Sequence, residues 1–319
     1  VNSRCNRGFR RLHGVKKEKM DLPVNKIICG DCKTILQAVP DNLVDLVFCS
    51  PPYEDARTYG IDFKLTEQKW VDWAVERFIE CVRVCKGVVC WVVEGKTRDF
   101  RWSATPVLLM ADLHRAGIHL RKPPIYKRYG IPGSGGQEWL RNDYEFIVCA
   151  SRGKLPWSDN TAMGHPPKYE MGGRCSNRTA DGRRANEQRY AALDAMRLTP
   201  SETSRRNGAK GNGGYAKPKI ANPGNIIDCG AAGGGRMGSK LASENEAPFP
   251  EALVEFFVRS FCPACGIVLD PFCGSGTTVS VAKQWGRNFI GIDIRQSQVD
   301  LSCMRIREIK EQYGLFESA

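Results

Sequence analysis

The amino-acid sequence predicts an α/β protein built on a doubly wound, mostly parallel sheet. Two observations carry that expectation. Short apolar runs recur along the chain, end in acidic or turn residues, and are separated by amphipathic stretches of helical spacing. One junction is explicit: Gly266-Ile267-Val268-Leu269 runs into Asp270, small residues follow, and a helical pattern extends from Thr277 to Trp285. The 319 residues suit one α/β core plus an insertion, and a hydrophobic fraction of 42% is enough to bury that core.

In chain order, Lys26-Ile27-Ile28-Cys29 is the first expected strand, with Asp31 just past its tip. Leu43 to Cys49 is the second, and its continuous apolar character reads as a buried strand. From Glu67 to Val84, residues Trp70, Trp73, Ala74, Phe78, Cys81 and Val82 recur near helical spacing, and these aromatic side chains read as core rather than as ligand contacts. Gly87 to Val93 is the next strand and Pro106 to Ala116 the next helix. Tyr144 to Ala150 is a late strand expected to run antiparallel, and Phe289-Ile290-Gly291-Ile292 is a last one that ends in Asp293.

The glycine segment Asp270-Pro271-Phe272-Cys273-Gly274-Ser275-Gly276-Thr277-Thr278 lets a ligand approach backbone with no Cβ in the way. Asp293, seventeen residues beyond Gly276, is placed at a strand tip to hold ribose hydroxyls. Val279 stands where a dinucleotide fingerprint has its third glycine, which disfavours NAD. No Gly-Lys-Thr/Ser follows, so a P-loop is excluded.

A second segment, Ser50-Pro51-Pro52-Tyr53, follows the strand at 43–49. Two prolines fix φ and lack amide hydrogens, so the turn is stiff and its carbonyls point outward. The exocyclic amine of cytosine or adenine is a poor nucleophile because its lone pair is delocalised into the ring. Two acceptors, the Ser50 hydroxyl and the Pro51 carbonyl, can take its N–H bonds and draw the nitrogen toward a tetrahedral state. Tyr53 offers a ring face for a base turned out of its stack. Tyr53 in place of a cysteine after the prolines disfavours methylation at cytosine C5.

With these residues in view, the chain resembles the beta group of DNA amino-methyltransferases, in which an SPPY-type motif precedes an FxGxG motif. The match rests on Ser50 to Tyr53, Asp270 to Thr278, Gly291-Ile292-Asp293, and Ala247-Pro248-Phe249-Pro250 with its following helix. It covers most of 25–150 and 240–315 and leaves the middle unmatched. The resemblance implies a fold of the S-adenosylmethionine-dependent methyltransferase type, with S-adenosyl-L-methionine as cofactor. It implies catalytic roles for Ser50, Pro51, Pro52 and Tyr53, and cofactor contacts from Asp31, Asp270, Phe272, Gly274, Ser275, Gly276, Thr277 and Asp293. A serine at the first tetrad position goes, in such enzymes, with the N4 amine of cytosine; the physical reading of the residues permits adenine N6 as well. A non-catalytic DNA-binding protein on the same fold is the further alternative. The motif order implies a circular permutation, in which the C-terminal part supplies the first two strands of the sheet and Lys26 to Cys29 the third.

The expected divisions are a basic tail at 1–22, a catalytic half at 23–150, a target-recognition region at 151–240 and a cofactor-binding half at 241–319. The tail carries Arg4, Arg7, Arg10, Arg11, Lys16, Lys17 and Lys19 and has no apolar signal-peptide core. Residues 151–240 hold sixteen Lys/Arg against seven Asp/Glu, which is most of the chain's net charge of +12, together with fifteen of its thirty-two glycines. Such a region builds little core but suits DNA phosphates. Its candidate contacts are Arg183, Arg184, Arg205, Arg206, Lys217, Lys219 and Arg236, interleaved with Asn and Gln that can read base edges.

Fourteen cysteines read as free thiols in a reducing cytoplasm rather than as disulfides or zinc ligands. Cys29, Cys49, Cys90 and Cys149 fall at or near strand ends, and only four histidines are available. No metal site and no membrane span are expected. Double-stranded DNA is the expected partner. The resemblance leaves room for a homodimer and for a cognate restriction endonuclease as a separate protein.

Overall fold

In a computed structural model of the chain, residues 24–55, 63–128, 138–166, 220–229 and 249–309 are described. The elements begin with β1 (Lys26–Cys29), α1 (Cys32–Ala38), β2 (Val44–Cys49), α2 (Glu67–Val84) and β3 (Cys85–Val93). A short hairpin, β4 (Thr97–Arg98) and β5 (Arg101–Trp102), precedes α3 (Thr105–Arg115), β6 (Leu120–Arg121), β7 (Ile125–Lys127) and β8 (Tyr144–Ser151). Then come β9 (Ile226–Asp228), α4 (Glu251–Phe261), β10 (Ile267–Asp270), α5 (Thr277–Gln284), β11 (Asn288–Asp293) and α6 (Gln296–Glu308).

The main sheet runs β1-β11-β10-β2-β3-β8-β7-β9, with β6 beside β8. The first five strands in that order are parallel, and β8 is antiparallel to β3, as expected for this late strand. The C-terminal strands β10 and β11 therefore lie inside the sheet, between β1 and β2. That placement explains why the apolar runs 44–49 and 267–270 lack alternation: each strand has neighbours on both edges and is covered on both faces.

Side chains of β3 partition by the strand period of two. Val89, Trp91 and Val93 enter one core with α1, α2 and α3, while Val88, Cys90 and Val92 enter the other with α4 and α5. Trp91, Phe48 and Phe78 are fully buried, and each contributes roughly 1.5–3 kcal/mol by leaving water. Asp45 breaks the apolar run of β2 for a reason: its carboxylate accepts from the Ile267 amide at 2.9 Å and pairs with Lys86 at 3.1 Å. It pins the start of β10 beside β2. Gly87 is required there, since a Cβ would come within 1.9 Å of the Asp45 carbonyl.

Helices α1 and α6 were not foreseen. Helix α1 has only seven residues, and α6 buries Gln298, Ser302 and Arg305 where an apolar stripe would be expected. The chain divides into two compact units, Val1–Ser158 with Asn225–Ala319, and Asp159–Gly224. In the second unit His165 and Ala221 form an isolated antiparallel bridge. Strand β9, within the expected region 151–240, pairs with β7 in the main sheet. The basic tail and Arg183, Arg184, Arg205, Arg206, Lys217, Lys219 and Arg236 lie outside the described residues. No described helix is long and apolar enough to cross a membrane.

Candidate active site

Four neighbouring parallel strands, β1, β11, β10 and β2, deliver their carboxyl ends to one cleft of about 330 Å³. Parallel α/β sheets bind ligands at such an edge because the loops leaving the strands open a crevice there. After β1 come Gly30 and Asp31; after β2, Ser50 and Pro52; after β10, Pro271 to Ser275 and Thr277; and from the end of β11, Asp293, Ile294 and Arg295. Eight of the twelve residues expected at the catalytic and cofactor positions line this cleft: Asp31, Ser50, Pro52, Phe272, Gly274, Ser275, Thr277 and Asp293.

The other four sit beside or behind it. Asp270 is only 1% exposed, and its Oδ1 accepts from the Phe272 amide at 3.0 Å, so it shapes the loop from beneath. Gly276 caps α5 in the left-handed conformation, φ 81°, and a Cβ there would stand 2.8 Å from Ser302 Oγ. Only glycine meets both demands. Pro51 is buried, and the Tyr53 hydroxyl reaches away from β2 to donate to Glu145 Oε2 at 2.8 Å.

The glycine loop is held from two sides. In front, the Gly274 amide donates to Asp293 Oδ2 at 2.8 Å while Asp293 Oδ1 accepts from the Arg295 amide at 2.9 Å. Behind, Ser302 Oγ donates to the Gly274 carbonyl at 2.6 Å. Arg305, buried in α6, donates to the Ser275 carbonyl at 3.2 Å, to Thr277 Oγ1 at 2.9 Å and to Glu251 Oε1 at 2.6 Å. The polar residues that α6 buries are the brace of the loop.

Trp73 requires a correction. Trp70 and Phe78 are core, as their spacing predicted, but Trp73 forms part of the cleft wall. Its ring lies 5.6 Å from Phe272 and 5.0 Å from Phe63, and the Arg77 guanidinium stands 4.4 Å above it. Arg77 also faces Asp31 at 3.6 Å, and its buried Nε has no hydrogen-bond partner. The missed signal was Arg77 itself: one turn from Trp73, it puts a cation on a stripe otherwise read as core.

At the tetrad, Ser50 Oγ donates to the Val92 carbonyl of β3 at 3.2 Å, and the Pro52 carbonyl accepts from the Trp70 indole at 2.9 Å. Glu145, which holds Tyr53, is paired on its other oxygen with Arg128. Glu94, just past β3, accepts on Oε1 from the Gly95 amide at 2.8 Å and the Trp102 indole at 3.1 Å, while its buried Oε2 has no partner. Burial pushes its carboxyl up to about 7, and nearby Glu145 adds to the rise.

Burial likewise raises Asp270 to about 7 from an ordinary 3.8. A carboxyl that keeps its proton longer in the folded state favours folding at low pH, and that advantage disappears as pH rises through the folded value. Asp270→Asn, which cannot ionise, is therefore expected to gain stability relative to the wild type between pH 4 and pH 8, by on the order of 2–4 kcal/mol. Urea denaturation of both proteins at the two pH values measures it; a difference that does not change with pH would refute it.

The cysteines behave as packing groups. Burial pushes Cys32 and Cys262 up to about 12, which keeps them as thiols at neutral pH. Among the described residues no group of three or more His, Cys, Asp or Glu is placed to hold a metal ion.

Comparison with known proteins adds what geometry alone does not. The Type II methyltransferase M.BglII of Bacillus subtilis is 27% identical over 315 residues, covering 92% of this chain and 75% of that protein. The DNA adenine methyltransferase YhdJ of Escherichia coli K12 is 26% identical, covering 92% of this chain and 86% of that one. Among solved structures, the PvuII DNA methyltransferase, described as cytosine-N4-specific, superposes with a TM-score of 0.61 at 17% identity, over 89% of this chain and 90% of that one. A family profile of the N6/N4 type, described as DNA methylase, matches residues 44–304, which include the Ser50 turn, the glycine loop and Asp293. The chain belongs to this N6/N4 family of DNA methylases.

Proposed function

We propose that the protein transfers a methyl group from S-adenosylmethionine to the exocyclic N4 amine of a cytosine rotated out of duplex DNA. The observation that carries this reading is the sharing of one cleft: Ser50 and Pro52 line the same cavity as Gly274 and Asp293. Amine-polarising groups and a nucleoside-binding edge then meet without any rearrangement of the sheet.

The cleft suits the cofactor in shape and in the kind of groups it offers. Carboxylates at two strand ends, Asp293 and Asp31, line the cleft together with the apolar side chains of Phe272, Trp73 and Ile294. Asp293 would hold ribose hydroxyls and Asp31 the adenine amine, with the apolar side chains against the flat ring. When bound, the cofactor supplies an electrophilic methyl group on a positively charged sulfur. Ser50 commits its proton to the Val92 carbonyl, so its oxygen is left to accept an amine N–H. The Pro51 carbonyl is the second acceptor. Tyr53, fixed by Glu145 and Arg128, presents a ring on which the base stacks. The position of β10 and β11 between β1 and β2 supports the circular permutation inferred from motif order. The basic composition of 151–240 supports its assignment as the DNA-contacting region.

The test is incubation of the purified protein with unmethylated genomic DNA and S-adenosylmethionine, followed by digestion to nucleosides and mass spectrometry. N4-methylcytosine is the expected product. N6-methyladenine is the second reading, favoured by the adenine-specific relative, and it would retain the cleft while overturning the inference from Ser50. Neither product would overturn both.

A further inference from the structure

We propose that the β4–β5 hairpin carries an apolar wedge, Phe100, which enters the base stack of duplex DNA next to the base being extracted; this rests on the function proposed above. Thr97 pairs with Trp102 and Arg98 with Arg101, so Asp99 and Phe100 form a two-residue turn. Both have left-handed backbone, φ 47° and 60°. Such turns favour Asn and Gly, and a bulky ring at positive φ is a steric cost that a surface turn without a task would shed. The ring is also 75% exposed. An aromatic side chain is thus held in water on a strained tip.

One side of the hairpin is fixed to the residues that follow the Ser50 turn, and the other to the end of β3 and to β8. The Lys96 amide donates to Glu54 Oε1 at 2.9 Å, Lys96 Nζ pairs with Asp55 at 3.0 Å, and Arg98 pairs with the same Asp55 carboxylate. Glu54 and Asp55 directly follow Tyr53. On the return strand, the Trp102 indole donates to Glu94 and stacks on Phe146, with ring centroids 6.3 Å apart. The position of Phe100 is therefore set relative to the residues that would receive the base.

Charge tells what the tip would touch. Lys96, Arg98 and Arg101 are all paired with carboxylates, Asp55 for the first two and Glu67 for the third, so the stem offers little net attraction to phosphate. What remains is a flat apolar ring on a hairpin tethered to the residues that follow Tyr53. Its natural partner is the face of a base pair, where it restores stacking lost when a neighbouring base leaves.

The test compares wild type, Phe100→Gly and Phe100→Trp on two duplexes containing a site mapped from DNA that the wild type methylates. One duplex is fully paired; the other has a mismatch opposite the target base, which makes extraction easier. Glycine tolerates the turn conformation, so the hairpin is retained. The wedge predicts that Phe100→Gly loses roughly 10- to 100-fold in kcat/KM on the paired duplex. On the mismatched duplex it should lie within about threefold of the wild type, while Phe100→Trp stays active on both and cofactor affinity is unchanged. Full activity of Phe100→Gly on the paired duplex, or equal loss on both duplexes, overturns the wedge. A wild type that methylates no DNA overturns the underlying function, and the wedge falls with it.

Discussion

Ser50→Ala is expected to lower the rate of methyl transfer by about 10²–10³-fold, the range seen when a single group aimed at developing charge is removed. The hydroxyl is anchored by donation to the Val92 carbonyl, so its oxygen is presented as an acceptor in a fixed position, without reorganisation at the moment of reaction. Alanine removes that acceptor and leaves the glycine loop, Asp293 and Asp31 untouched. S-adenosylmethionine affinity should therefore remain within about threefold of the wild type, because in the proposed mechanism the lost contact is made to the amine and strengthens as the methyl arrives. Single-turnover transfer to mapped DNA, with calorimetric titration of the cofactor, separates the two quantities. Undiminished transfer would remove Ser50 from the mechanism, and a matching loss of cofactor affinity would recast it as a binding residue.

The parts of this fold that were legible in the sequence are those whose signal is local. Strands β2 and β10 read clearly because burial on both faces leaves continuous apolar runs, and the turns after them read clearly because proline and glycine restrict or free the backbone. What was hidden depended on contacts between distant residues. Asp270 and Asp293 look equivalent as acidic residues ending strands, yet the first lies under the loop and only the second lines the cleft. Trp73 and Trp70 share a helix and a residue type, and apart from the nearby Arg77 it is the approach of Phe272 that tells wall from core. Strands of two residues such as β4 and β5 fall below any periodic pattern, and the parallel pairing of β7 with β9 joins segments about a hundred residues apart. Phe100 was invisible for the same reason: a lone exposed phenylalanine is ordinary until its backbone conformation and tethers are known.

Arg305→Ala is expected to cost about 3–5 kcal/mol of stability and to weaken S-adenosylmethionine binding by more than tenfold. The guanidinium is 1% exposed and lies among the Ser275 carbonyl, the Thr277 hydroxyl and the Glu251 carboxylate. Alanine would leave all three without this donor, and the half-buried carboxylate would carry most of the penalty. The loss would also reach function, because Ser275 and Thr277 belong to the loop that faces the cleft. Arg305→Lys keeps a charge for Glu251 but cannot span the fork of contacts, so it should recover stability more than cofactor affinity. Arg305→Met fills much of the volume that alanine leaves empty, so it should be milder than alanine in stability. The order expected in urea denaturation without cofactor is wild type, then lysine and methionine, then alanine. For cofactor affinity, methionine and alanine should fall together below lysine, since neither can hold the Ser275 carbonyl. If Arg305→Ala bound cofactor normally after folding, the brace would be purely structural and the conformation of the glycine loop would have to be set by Asp293 and Ser302 alone.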